Sequence, residues 1–451
     1  MSGACPVVDA PVWVGQLDLT RPSLLEPVSP RDPIAGELAR ILVRVRGDPV
    51  GFVELVIPGD ELERELLAAV GRQLGEVLAG HSVLDATGYT SSTAGATGDI
   101  AGLEPGSALV GGLCVVVCTR GRPGTLAGCL KSLRSLVYQG FEVVVVDNAP
   151  ADDATARLFD IMVGGDPRFR YVREPRVGLS NARNRGLVEA SARYVAFTDD
   201  DVVVDSQWLS GIARGFGREP GVGCVTGLVP SARLDTPAER YFDRRVAWSS
   251  SLQPRIYDLE ARRGASPLFP FDAGRLGAGA NFGIERDLAV RLGGFDPALG
   301  AGSPARGGED LDMFVRVLQA GSKLAYEPSA IVWHFHRVDM ASLRSQMHGY
   351  GIGLGAYLAK QMMVSGSRSA LVRGAPRGAA HMLRLWRGGD RGTASTGGMA
   401  VFEALGLVEG PVAFARGRLA QGRLAQGWLA QGRLAQGWLA QGWLAQGRLD
   451  R

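Results

Sequence analysis

A doubly wound, mostly parallel α/β sheet is predicted for the middle of this 451-residue chain, and three observations predict it. First, "LCVVVCT" (113–119) and "EVVVVD" (142–147) are unbroken β-branched runs, as strands need when helices cover both faces of a sheet. Second, "PGTLAGCLKSLRSL" between them has helical spacing, with Pro123 suited to the first helical turn. Third, further strand candidates at 169–173, 194–198 and 222–226 alternate with helical segments at 178–190 and 206–217, the order of a doubly wound sheet. Ligands of such sheets bind at the carboxyl ends of the strands.

The elements follow in chain order. Residues 1–85 form a small α+β accessory module. Its "ARILVRVRGDPVGFVELVI" (39–57) alternates around Gly47-Asp48 as a hairpin, and Asp60 with Glu63 fits a capping box. Leu62, Leu66, Val70, Leu74 and Val77 then make one helical stripe. Residues 86–110, rich in Gly, Ser and Thr, read as a linker, and 111–340 as the α/β domain. Residues 341–398 read as a basic helical segment, with an amphipathic helix at 339–363 weakened by "GYGIGLG". Residues 399–451, ending in tandem "GRLAQ" and "GWLAQ" pentads, read as a low-complexity tail, because a period of five matches neither helix nor strand.

Composition narrows the setting. Hydrophobic content of 46% with 21% charged residues belongs to a globular protein. The net +3 conceals an asymmetry: residues 366–451 carry twelve arginines, no lysine and four acids, a local +8 against −5 for the rest. The basic end suits an anionic membrane surface or a phosphate-bearing partner, or is a solvated tail. No uncharged apolar run is long enough to span a bilayer, and no secretory leader is visible at the start. Five cysteines without a C-x-x-C pair read as reduced thiols, hence a cytoplasmic setting, peripheral at the inner face of a membrane.

Chemistry is concentrated in a few places. "FTDDDV" carries Asp199, Asp200 and Asp201 at the carboxyl end of a strand. Adjacent carboxylates repel, so either a cation sits there or the run is a solvated turn. Hard carboxylate oxygens suit Mg2+ or Mn2+, which a departing diphosphate requires. Asp147 ends the strand "VVVVDNAP" and can accept from a ribose or base, or form an Asx turn. Thr119, Arg120 and Arg122 follow the first strand as donors for phosphate or a base edge. Arg183, Asn184 and Arg185 open a helix, where amides favour an anion. Glu309 and Asp310 open another in "GGEDLDMFVRVL", as dipole caps or as a general base. His334 and His336 fall on one side of a strand in "IVWHFHR". The small residues of "RLGAGANFGIERD" suit a pocket wall.

Taken in order, "VVVCTRGRP", "VVVVDNA", "GLSNARNRGL", "FTDDDV", "GANFGIERD", "GGFDPALG", "GGEDLDMFVRV" and "VWHFHR" resemble the family 2 glycosyltransferases, over about residues 113–340. That resemblance implies a GT-A fold and inverting transfer of a sugar from a nucleoside-diphosphate sugar to a hydroxyl. It implies nucleotide-sugar contacts from Thr119, Arg120, Asp147, Arg183, Asn184 and Asp199, with Asp200 able to substitute in a shifted register. Metal contacts are implied for Asp201 and His334, with Mn2+ or Mg2+ as cofactor. Asp310 matches the catalytic base, with Glu309 beside it. The family's usual Tyr-Asn after the first strand is Arg120-Gly121 here, which leaves base recognition open. A glycan, lipid or small molecule is the expected acceptor, membrane-linked if the basic C-terminus is a guide, and no nucleic acid is expected as partner. The competing readings are a sugar nucleotidyltransferase and a non-catalytic module on the same fold.

Overall fold

A computed structural model describes residues 10–20, 25–80, 109–246, 251–374 (apart from 262, 264, 265 and 267), 376, 380 and 398–430. The N-terminal module is a four-stranded sheet in the order β2-β1-β3-β4. Its strands are β1 (Val12–Asp18), β2 (Leu25–Pro27), β3 (Leu38–Val45) and β4 (Asp48–Val56), backed by α1 (Leu62–Gly80). The β3–β4 hairpin turns at Arg46 and Gly47, both at positive φ, one residue earlier than the sequence suggests. Trp13, Ile41, Val43, Val53, Leu66 and Val70 close a core between sheet and helix. β1 and β2 are not signalled by the sequence pattern. Of the linker, 86–108 lies outside the described residues.

The central sheet is built from β5 (Leu113–Thr119), β6 (Phe141–Asn148), β7 (Phe169–Glu174), β8 (Tyr194–Asp199), β10 (Val222–Leu228), β11 (Arg255–Tyr257), β12 (Asn281–Glu285) and β13 (Lys323–His334). Short β9 (Val202–Val204) pairs with the end of β13. The order is β11-β13-β10-β12-β8-β5-β6-β7. β7, β6, β5 and β8 are mutually parallel, and β12 enters antiparallel between β8 and β10.

The apolar runs are continuous because both faces are covered. Val115 and Val117 face one core with Leu126 of α2 (Pro123–Arg134), Phe159 of α3 (Ala154–Val163) and Trp208 of α5 (Trp208–Gly217). Cys114, Val116 and Cys118 face the other, with Ala182 of α4 (Leu179–Glu189), Leu288 of α7 (Arg286–Arg291) and Phe314 of α8 (Glu309–Gln319). The four described cysteines are free and buried.

The N-terminal module docks on this domain through Val12, Val14 and Leu42 against Leu228, Ile331 and Trp333. Arg44 meets Asp205 at 2.6 Å across the contact, with both side chains buried. α6 (Pro237–Arg245) starts with a complete Thr236–Glu239 capping box.

The C-terminus corrects the sequence reading. α9 (Met340–Met363) and α10 (365–374) are followed by α11 (Met399–Ala430), so the stretch assigned to a low-complexity tail is helical through its first pentads. The five-residue period starts only near Gly417. Before it, the buried positions Gly406, Gly410, Ala413 and Phe414 recur at helical spacing. α11 packs backbone to backbone on the glycines that weaken α9 on propensity grounds. A methyl group on Gly410 would lie 2.5 Å from the backbone of Gly355 and Ala356. No helix among the described residues is long and apolar enough to cross a membrane.

Candidate functional site

The parallel ladders set the site's floor. Thr119 is in register with Asp147 on β6, and Cys118 with Asp199 on β8. Asp147 and Asp199 are therefore two strand spacings apart, roughly 10 Å, at one end of the sheet.

The three aspartates diverge because β8 ends between them. Asp200 is fully buried. Thr119 Oγ1 donates to its Oδ2 at 2.6 Å, and Arg122 lies 3.2 Å from its Oδ1. Burial pushes its carboxyl up to about 6, against the pull of Arg122 and Thr119. Asp199 and Asp201 instead converge on His334 from β13, with ligand atoms of all three within 4.8 Å of one another. Asp201 Oδ1 is 3.4 Å from His334 Nε2, and Arg122 donates to Asp201 Oδ2 at 3.0 Å. Burial raises the Asp199 carboxyl, with Arg183 opposing. Two carboxylates and an imidazole are a donor set that fits a hard or borderline divalent cation.

His336 takes another part. It stacks on His334 with ring centroids 4.9 Å apart and shares a 2.9 Å hydrogen bond with Ser231. Burial first, then neighbouring positive charge, pushes it down to about 2, so it is neutral and props His334.

A second acidic pair faces the first. Gly308, at φ 87°, lets α8 begin against the backbone of Gly353 in α9. Glu309 and Asp310 in its first turn line the same cavity as Asp199 and His334. Arg183 joins the two clusters. It donates to Glu309 Oε1 at 2.8 Å and to the Gly279 carbonyl at 2.9 Å, and lies 3.6 Å from Asp199 Oδ1. Its guanidinium sits over Phe282 and Phe295, with 3% of the side chain exposed. Gly279 permits this approach, since a methyl there would meet Asp310 Oδ2 at 2.8 Å and Arg183 at 2.9 Å. Burial, then the Asp310 charge, pushes Glu309 up to about 7, with Arg183 pulling the other way.

Several expected ligand contacts have different employment here. Arg183 is committed to carboxylates. Asn184 gives both sides of its amide to the backbone of Phe295, at 2.8 and 2.7 Å, and so pins the "GGFDPALG" loop. Thr119 is spent on Asp200. Helix α4 is buried on most sides, so its polar residues answer the core and not solvent. Arg120 is exposed at the end of β5. Tyr171 donates to Asp147 Oδ2 at 2.7 Å and Thr155 also helps hold the carboxylate, while buried Oδ1 has no close hydrogen-bond partner among the described residues. Burial raises its carboxyl, with the Tyr171 hydrogen bond opposing. Tyr171 emerges only in three dimensions, whereas Arg122 was legible as a donor after β5 and Gly279 as part of a small-residue pocket wall.

A cavity of about 1330 Å3 opens from the acidic clusters toward α6, the 268–274 loop and the C-terminal helices.

Comparison with known proteins gives a consistent result. The Glycosyl transferase family 2 model matches residues 114–274. A pre-mycofactocin glycosyltransferase of Mycobacterium tuberculosis is 32% identical over 244 residues, 52% of this chain and 45% of that protein. The succinoglycan biosynthesis protein ExoM of Rhizobium meliloti is 30% identical over 254 residues, 55% of this chain and 71% of that protein. The match thus spans less than half the length of the first relative. Among solved structures, a mannosyltransferase from Pyrobaculum calidifontis in complex with GDP-Man and Mn2+ aligns with a TM-score of 0.44 at 19% identity, over 66% of this chain and 86% of that one.

Proposed function

Because the chain belongs to glycosyl transferase family 2, we propose that it transfers a sugar, with inversion, from a nucleoside-diphosphate sugar to an acceptor hydroxyl. One observation carries the reading: Asp199, Asp201 and His334 converge at the carboxyl ends of the sheet, one arginine away from Glu309 and Asp310. Asp199, Asp201 and His334 would hold a divalent cation, which when bound supplies positive charge against a diphosphate.

The chain's own residues divide the remaining work. The unpartnered Oδ1 of Asp147 accepts a hydrogen bond from the nucleoside. Arg120 and Arg122 lie on the loop where phosphate oxygens arrive, and Arg122 exchanges its carboxylate partners for them. Asp310 takes the proton of the acceptor hydroxyl as its oxygen bonds to the anomeric carbon. The bond from that carbon to the phosphate oxygen breaks, and its electron pair leaves with the diphosphate. Arg183 holds Glu309 aside and fixes the start of α8, so it is a positioning residue. The basic C-terminal fifth supports a peripheral place at an anionic membrane surface.

A sugar nucleotidyltransferase would need a glycine-rich phosphate loop after β5. Here that loop carries Arg122, folded back on the acids, which favours transfer.

A thermal-shift panel of nucleoside diphosphates with and without Mn2+ tests the proposal. One base should stabilise the protein in the presence of Mn2+, by about 2.7 kcal/mol at a hundredfold excess over Kd. Asp201→Asn should abolish the Mn2+-dependent part. If no nucleotide shifts the transition under either condition, the assignment is wrong.

A further inference from the structure

The walls of the cavity bear on the acceptor. Beyond the acidic clusters and their histidines the lining also carries Asp272, Glu403, Tyr350 and several arginines, but its larger part is apolar: Phe242, Phe269, Phe271, Met347, Leu354 and Leu407 stand for it. Among the described lining residues there is no serine, threonine, asparagine, glutamine, lysine or tryptophan. Amide partners are therefore missing from the described lining, and Tyr350 is the neutral hydroxyl there. A glycan lying along the apolar part, away from those charged groups, would leave hydroxyls unpaired, which is unfavourable. An apolar body would gain from burial there.

Two further observations bear on shape. The volume of about 1330 Å3 exceeds the roughly 300–1,000 Å3 of common small-molecule pockets. The apolar lining also does not stop inside. Met362, which lines the cavity, is followed in the chain by exposed Met363 and Val364 at the end of α9. Meanwhile Gly308 against Gly353 brings the α9 wall, Leu354 included, up to the catalytic turn of α8.

We infer that the acceptor is an amphiphile: a hydroxyl carried on a long apolar body, which lies against α9 and α11 while the hydroxyl reaches Asp310. The inference rests on the glycosyl-transfer reading and narrows it to one acceptor class.

Butyl, octyl and dodecyl glycosides, kept below micelle-forming concentrations, serve as probes beside the matching free oligosaccharide. Both direct binding without donor and stimulated release of nucleoside diphosphate are measured. Binding should saturate at one site per chain and tighten about threefold or more for each added methylene until the body outgrows the cavity. The oligosaccharide should neither bind nor stimulate. Leu354→Trp, which fills the cavity, should weaken octyl glycoside binding more than tenfold; Leu407→Trp is the second variant if the first does not fold. Length-dependent binding without any donor turnover would defeat the transfer reading and spare the apolar site. Donor turnover that is indifferent to alkyl length, or equal for the oligosaccharide, would defeat the acceptor inference alone. Unchanged affinity in both tryptophan variants would also overturn it, as would a cavity filled by the chain's own residues so that no probe binds.

Discussion

At the sheet end of the candidate site the polar side chains stand on strand termini, where ladder register fixes Asp147, Asp199 and Thr119 before any ligand arrives. At the helical end the walls are side chains on α9 and α11, and glycines set the distance between those helices. The first end is determined by hydrogen-bonded backbone and concentrated charge. The second is determined by the absence of side chains and by apolar contact. On the proposed roles this cleft separates chemistry from fit, so a change at one end should leave the other measurable.

Three predictions probe that separation, the largest first. Asp310→Asn keeps the side-chain shape and should cut turnover on the order of 10^3-fold. Its thermal midpoint and nucleotide affinity should stay near those of the parent; a variant that turns over normally would remove Asp310 from the reaction. Gly410→Leu works at the other end. It forces α11 away from α9 and should cost about 1–3 kcal/mol in denaturant-induced unfolding. Nucleotide binding should persist, and a coupled loss of both would show that the two ends are one unit.

The smallest effect concerns Glu309, pushed up to about 7 from an ordinary 4.5. A carboxyl raised in the folded state binds more protons there than in the unfolded chain. Its contribution is therefore fully present below 4.5 and is lost as pH rises through 7. Parent stability relative to Glu309→Gln should decline steadily across that window. A flat difference would mean that Arg183 keeps Glu309 ionised throughout.

The sheet end was the more readable in the sequence. Unbroken Val runs and the acid-tipped strand carry their meaning locally, and the Asp-x-Asp pair with His334 does come together. What escaped was orientation. Arg183 and Asn184 sit in a helix start rich in polar residues, and nothing in one dimension says that they turn inward to Glu309 and Phe295. The antiparallel insertion of β12 is also invisible, because "NFGIE" reads the same in either direction. At the helical end the helix expected at 339–363 is present as α9, and what was misread, for a different reason, is the start of α11 as a tail. Glycines lower helix propensity, and only the facing helix reveals them as points of contact.

Lys360 carries a last consequence. From α9 it reaches Asp296 at 2.8 Å, in the loop that Asn184 pins, and Asp312 at 2.9 Å, one turn past Asp310. Both acids are almost wholly buried. The family match ends at 274, well before any of the three. A chain ending before α9 would leave Asp296 without this ammonium and Asp312 with Arg316 alone, a loss of about 3–5 kcal/mol for the broken pair. The terminal helices are thus a clasp on the first turns of α8, and a stable fragment must include them.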